Sequence, residues 1–312
     1  MNIFTMIMSV LEDSGLLVLY HAAPEWMAMD ERQIIFMLAT PFFIGVFLWE
    51  YLKIRGNDKL VNEGESVRNF MLGAGYQTTE LVFAGLVSFP VYALVWHFRI
   101  WDIPFNFFTA VLLWVLTDFC FYWMHRASHR VRWFWAAHVT HHSSERMNFS
   151  TAMRQNATNI FNLNWAFYLP LAFLGFNPVW IGVAYALSLV YQFFIHTTLV
   201  DKLHPAIEWL FNTPSHHRVH HATNKHYIDT NYGGVFIIFD RLFGTFQAED
   251  EEPTYGITKP VDSKNIFLLW CHEYLDLFRD MAKPGPIHQR LKHLWAPPEW
   301  QRDEQEKKDS PL

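Results

Sequence analysis

A chain of 312 residues that is 51% hydrophobic, 18% aromatic and only 17% charged is apolar and charge-poor for a soluble globular protein. Its formal net charge of −6, with no basic stretch, argues against a nucleic-acid partner, and two isolated cysteines, Cys120 and Cys271, argue against a disulfide framework or a cysteine-held zinc. Near-neutral overall hydropathy then requires the apolar residues to be gathered into blocks between polar segments, which is the pattern of an integral membrane protein.

In chain order, "SVLEDSGLLVLY" within the first twenty residues is interrupted by Glu12 and Asp13 and follows no basic segment, so it does not read as a cleaved signal peptide. A spanning helix needs about 20 apolar residues. Residues 34–52 form a first candidate, with Glu50 at its exit; residues 81–98 form a second, with a kink expected at Pro90; residues 105–124 form a third. The runs 160–176 and 179–195, separated by the turn signal "GFNPVW", read as a helical hairpin whose short arms either span or dip into the bilayer and return. The expected fold is therefore an all-α integral membrane protein, with four to five transmembrane or re-entrant helices and a histidine-rich helical cap. Residues 1–312 read as a single membrane-embedded domain, with a disordered polar tail over 296–312.

Positive charge orients these spans. With five crossings and the N-terminus outside, only Arg32 and Arg99 lie outside, and among the short loops Lys53, Arg55, Lys59 and Arg68 stand against Arg99. The two large polar regions, 125–158 and 197–312, are thereby placed together on the cytoplasmic side of a bacterial inner membrane or of the endoplasmic reticulum.

Those regions carry most of the 17 histidines. "HRASH" is HxxxH (His125, His129), "HVTHH" is HxxHH (His138, His141, His142), and "HRVHH" is a second HxxHH (His217, His220, His221) preceded by His216. Residues three and four apart share a helical face, so each box can aim two or three imidazoles at one point. Eight such imidazoles exceed what one zinc uses, and two metal ions is the natural count. Imidazole suits zinc, copper, iron and nickel alike; the membrane-face location favours a redox metal that oxidises lipid C–H bonds with dioxygen. His196, emerging where the boxes converge, is read as a further ligand, whereas His204 and His226 lie at odd spacing and are left out. Asp118, seven residues before His125 within the third span, is either an acceptor that orients a ligand imidazole or a hydrogen-bonding partner of a neighbouring helix; the cost of an intramembrane carboxylate favours the first. Glu145, Asn148, Arg154 and Asn156 line the site or face the headgroup region.

On these boxes the sequence resembles the fatty acid hydroxylase and sterol desaturase superfamily of membrane di-iron oxygenases over about residues 105–255. "AAHVTHHSSERMNFSTAMRQ", "SHHRVHHATNKHYIDTNYGGVFIIFDRLFGTF" and "EPTYGITKP" are most similar to its alkylglycerol monooxygenase-like branch and bacterial relatives. The resemblance implies iron ligands at His125, His129, His138, His141, His142, His217, His220 and His221, with His196 and His216 in addition. It also implies a non-haem di-iron centre, with two iron ions, under a lid that includes "NYGGVFIIFDRLFGTF". Animal members of the branch carry an acidic residue directly after the second histidine of the first box and use tetrahydrobiopterin. Here Arg130 stands at that position, which leaves the external reductant open between the pterin and a ferredoxin-type or cytochrome-type donor protein. The implied activity is hydroxylation of a membrane lipid by dioxygen and external electrons. An ether lipid, a fatty acid, a sterol or an amino-acid lipid remains as substrate, and a metal transporter or non-catalytic binding protein is the rival reading.

Overall fold

A computed structural model describes residues 31–261 and 264–302, apart from the side chains of 31–40. The stretch read above for a signal peptide and residues 303–312 lie outside the described residues. The chain divides into two compact units at Leu52 and Lys53. Helix α1, Glu31–Ile54, is continuous over the first expected crossing and exposes Phe42, Ile44, Leu48 and Trp49.

In the second unit, three helical stretches are long and apolar enough to cross a membrane: Glu63–His97, Phe107–Arg130 and Pro178–Ile195. The first begins as α2, Glu63–Phe83, where the Asn62 side chain accepts from the Glu65 amide and Glu63 and Glu65 face the positive end of the helix dipole. Through a π-turn at Ala84–Ser88 it becomes α3, Phe89–His97. The irregularity expected at Pro90 is this π-turn: proline has no N–H to donate and its ring crowds the carbonyl four residues back, and the widened turn accommodates both.

Helix α4, Phe107–Arg130, opens on a capping box between Asn106 and Thr109 and runs unbroken through His125 and His129. It is the spine of the unit. One face packs Phe121 and Met124 against Tyr168, Leu171, Ile181 and Ala184; the other packs Tyr122 against Tyr232, Val235, Phe236 and Phe239. Val131, in the extended region, ends it and redirects the chain into α5, Arg132–His142, which carries the second histidine box.

The hairpin differs from expectation in its first arm. After the single turn α6, Phe149–Ala152, residues 157–174 form two 3-10 turns, Ala157–Asn162 and Asn164–Tyr168, and the short helix α7, Leu169–Leu174. This arm is too short to cross as one helix. Its asparagines bind back into the protein, Asn162 donating to the Phe134 carbonyl at 2.9 Å and Asn164 to Asn159 at 2.8 Å, which a lipid-facing helix would not allow. The second arm is one helix, α8, Pro178–Ile195. The turn between the arms packs on the loop before α4, at the end of that helix opposite its histidines: Ile100 donates to the Phe173 carbonyl at 2.8 Å. Gly175, at φ 124°, has no room for a Cβ beside the Trp101 carbonyl.

The remaining chain forms the cap. It comprises α9 (Pro205–Leu210), α10 (Pro214–His220), α11 (Ile238–Phe243), the amphipathic α12 (Ile266–Ala282) and α13 (Ile287–Lys292). The described part of the tail expected to be disordered is packed. Ala296 is buried and its carbonyl accepts from the Arg132 amide at 3.1 Å, and the buried Arg302 guanidinium donates to the Lys283 and Pro284 carbonyls. Among the described residues there are no strands, only two isolated bridges.

Candidate metal centre

The four elements that carry histidines bring nine imidazoles into two groups. His125, His129, His138, His142 and His220 form one, and His141, His196, His217 and His221 the other, with the ligand atoms of each group within 4.8 Å of one another. The boxes are divided reciprocally. In α5 the pair at i and i+4, His138 and His142, joins the first group while His141 at i+3 turns to the second; around α10, His217 and His221 join the second group while His220 turns to the first. Successive side chains on a helix are about 100° apart, so an HxxHH box is suited to serving two centres. The His142 and His221 rings stack at 4.4 Å where the groups meet.

The outer ring nitrogens fix the direction of the inner ones. His125 Nδ1 donates to the Tyr232 carbonyl at 2.8 Å, His220 Nδ1 to Thr230 at 2.9 Å, His196 Nδ1 to Gln192 at 2.6 Å and His141 Nδ1 to Arg154 at 3.2 Å. A carbonyl only accepts, so these Nδ1 atoms carry the proton and each Nε2 presents a lone pair. The lone pairs of His196 and His141 converge, their Nε2 atoms 3.2 Å apart, and His125 directs its Nε2 lone pair toward His138 Nε2 at 3.0 Å. His129 Nε2 and His220 Nε2 are buried with no partner at all. Buried acceptors facing one another at such distances repel unless a cation lies among them, and cis ligands about 2.1 Å from a metal are about 3 Å apart. The residues therefore fit a metal ion in each group. Burial, followed by the neighbouring imidazoles, holds His138, His141, His142, His217, His220 and His221 well below the usual histidine range. Burial also brings His196 down to about 4, against the opposing Gln192 carbonyl. All seven are neutral at pH 7, the protonation state that binds metal.

Asp118 does not contact an imidazole. Its carboxylate accepts the Val235 and Phe236 amides, each at 2.8 Å, and reaches the histidines only through that loop. Asp240 accepts the Tyr232 and Gly233 amides, each at 2.7 Å, and burial pushes its carboxyl up to about 6. The adjacent glycines have a steric reason, since a Cβ on Gly234 would lie 2.6 Å from the Asp118 carboxylate. The "NYGG" run, which in the sequence shows no chemistry of its own, is thus the support of the first group.

His216 is not brought to either group: its Nε2 meets Glu208 at 2.9 Å, away from the convergence point. His204 caps α9, and His226 is an exposed partner of Asp250. Arg154 lies behind His141, donating to the Thr140 carbonyl and to Asn69, and Asn156 donates to Thr140 Oγ1. Asn148 caps α6 and holds the Leu60 carbonyl, and Glu145 faces outward. Sequence reasoning missed Asp229, which lies 3.5 Å from His129 Nδ1 and pairs with Arg130; Trp135, one of the aromatic residues of "VRWFW" that the sequence offers as a border of a lipid tunnel, has its ring centre 5.3 Å from that of His129.

Residues 110–245, which contain every histidine of both groups, match the fatty acid hydroxylase family. This core belongs to that family. The chain is 37% identical to alkylglycerol monooxygenase of Homo sapiens over 273 residues, covering 84% of this chain and 59% of that protein. It is 38% identical to the Danio rerio alkylglycerol monooxygenase over 271 residues, with the same coverage. Ornithine lipid hydroxylase OlsE of Rhizobium tropici is 32% identical over 159 residues, 49% of this chain and 46% of that protein. The chain thus spans about three-fifths of the length of the alkylglycerol monooxygenases it matches. No solved structure matches. The hydroxylase-family core is formed by α4, α5, α6, the hairpin and the cap up to the loop that follows α11.

Proposed function

We propose that this protein is a membrane-bound lipid monooxygenase with a di-iron centre, one iron in each imidazole group. The observation that carries the proposal is the set of nine convergent, buried imidazoles at the end of an apolar helix. When bound, the iron pair supplies the reduction of dioxygen and the insertion of one of its atoms into a C–H bond. The chain's own part is to hold the ligands in one tautomer through the carbonyls of Tyr232, Thr230, Gln192 and Arg154, to exclude water by burying them, and to place the site where α4 leaves the membrane. Similarity to alkylglycerol monooxygenases favours an ether lipid. Hydroxylation of the carbon beside the ether oxygen gives a hemiacetal, which collapses to a fatty aldehyde and a free glycerol hydroxyl. The OlsE match favours a second reading, hydroxylation of an amino-acid lipid to a stable alcohol. Electrons come from an external donor, and the cap faces the cytoplasm, as Lys53, Arg55 and Lys59 near its side argue against Arg99 at the other.

The test is lipid analysis under oxygen-18 gas in cells that express the wild type or His141→Ala. A labelled lipid alcohol, or an ether lipid consumed with appearance of a fatty aldehyde, in the wild type alone supports the proposal and chooses between the two readings. Identical lipids in both, with a competent donor supplied, refute it.

A further inference from the structure

We infer that Asp118 is a positioning residue for the five-imidazole group, acting from within the membrane helix through the backbone of residues 232–236. The inference rests on the two-ion reading above.

Backbone N–H and C=O groups need a partner when buried. In this loop the amides of Tyr232 and Gly233 go to Asp240, and those of Val235 and Phe236 go to Asp118. The carbonyls of Gly233 and Gly234 accept from the Asn212 side chain, and that of Val235 from the Asn212 amide at 2.8 Å. The Tyr232 carbonyl is the one that fixes His125. Two carboxylates and one asparagine therefore engage four amides and three carbonyls of the turn, and the Tyr232 carbonyl is aimed at a metal-binding imidazole. The Thr230 carbonyl, two residues earlier in the same segment, fixes His220 of the same group.

Asp118 is fully buried, and both of its hydrogen bonds are to backbone amides. If it served only to fasten a loop to a helix, a neutral side chain would do so without burying a charge at this depth. The carboxylate accepts one amide on each of its oxygens, whereas an asparagine of the same shape would turn an NH2 donor toward one of them. Gly234 allows the approach. The four-imidazole group does not use this loop, because His196 and His141 lean on Gln192 and Arg154. The clasp thus acts on one ion of the pair.

The test is release of ferrous iron to a chelator from protein purified in detergent and loaded with ferrous iron under argon. His129→Ala and His196→Ala first assign the two release phases to the two groups. Asp118→Asn, which keeps the shape, is expected to accelerate release from the five-imidazole group by about 10-fold to 100-fold, the range for groups that support metal ligands, and to leave the other phase unchanged. Asp118→Ala is expected to bind one equivalent in place of two. Unchanged release in Asp118→Asn overturns the inference. Equal acceleration of both phases overturns it as well, since that is a general loosening. A wild type that binds fewer than two equivalents refutes the two-ion reading instead.

Discussion

The two imidazole groups are made from the same boxes but are supported differently. In the four-imidazole group, His196 leans on the carbonyl of Gln192 in its own helix and His141 on that of Arg154, thirteen residues along the chain. In the five-imidazole group, His125 depends on Tyr232, 107 residues away, in a loop that two buried carboxylates must first hold in shape. One site forms once the helices pack; the other also requires a loop to close. The difference teaches that equal ligand chemistry does not imply equal robustness, and the two ions should separate under perturbation.

The largest effect should come from removing a ligand. His141→Ala or His220→Ala is expected to lower bound metal and reduce lipid oxidation below detection while the protein stays in the membrane fraction; full activity in both would refute the assignment. Acid is expected to come next. In the metal-free protein the buried imidazoles are neutral when folded and titrate near pH 6.5 when unfolded. Their contribution is therefore intact above pH 6.5 and is lost as pH falls toward the folded value, about 4 for His196. Thermal unfolding of metal-free protein between pH 7 and pH 5 would show this as a falling midpoint, and a constant midpoint would contradict it. Gly234→Ala sharpens the comparison with a smaller effect. Its methyl would press on Asp118, with a cost of about 1–3 kcal/mol, and iron should be lost faster from the five-imidazole group alone. The smallest effect is expected for His226→Ala, which removes an exposed pair and should leave the iron count unchanged, as should His216→Gln.

Helical periodicity made the ligand faces legible in the sequence. HxxxH at the end of an apolar run and HxxHH twice are local patterns, and the eight box histidines, with His196, all arrive at the two groups. His216 was adjacent in sequence but points away on its helix, toward Glu208. What the sequence hid is non-local. Asp118 was visible as an oddity, but its partners are backbone amides that carry no side-chain signature, and Gly233 and Gly234 gain meaning only once two carboxylates approach them. The start of α2 was hidden for another reason. Glu65 and Asn69 lower the local hydropathy, yet both are buried, with Glu65 bound to Ser144 and Arg146 and Asn69 to Ser150 and Arg154. The first hairpin arm was apolar enough to resemble a span, and its asparagines broke it into 3-10 turns.

The central claim is that each group holds its own ion, and the direct measurement is iron bound per chain, by elemental analysis, in the wild type, His129→Ala and His196→Ala after loading under argon. The account predicts two, one and one. A wild type that binds one or none, or variants that both retain two, would contradict it.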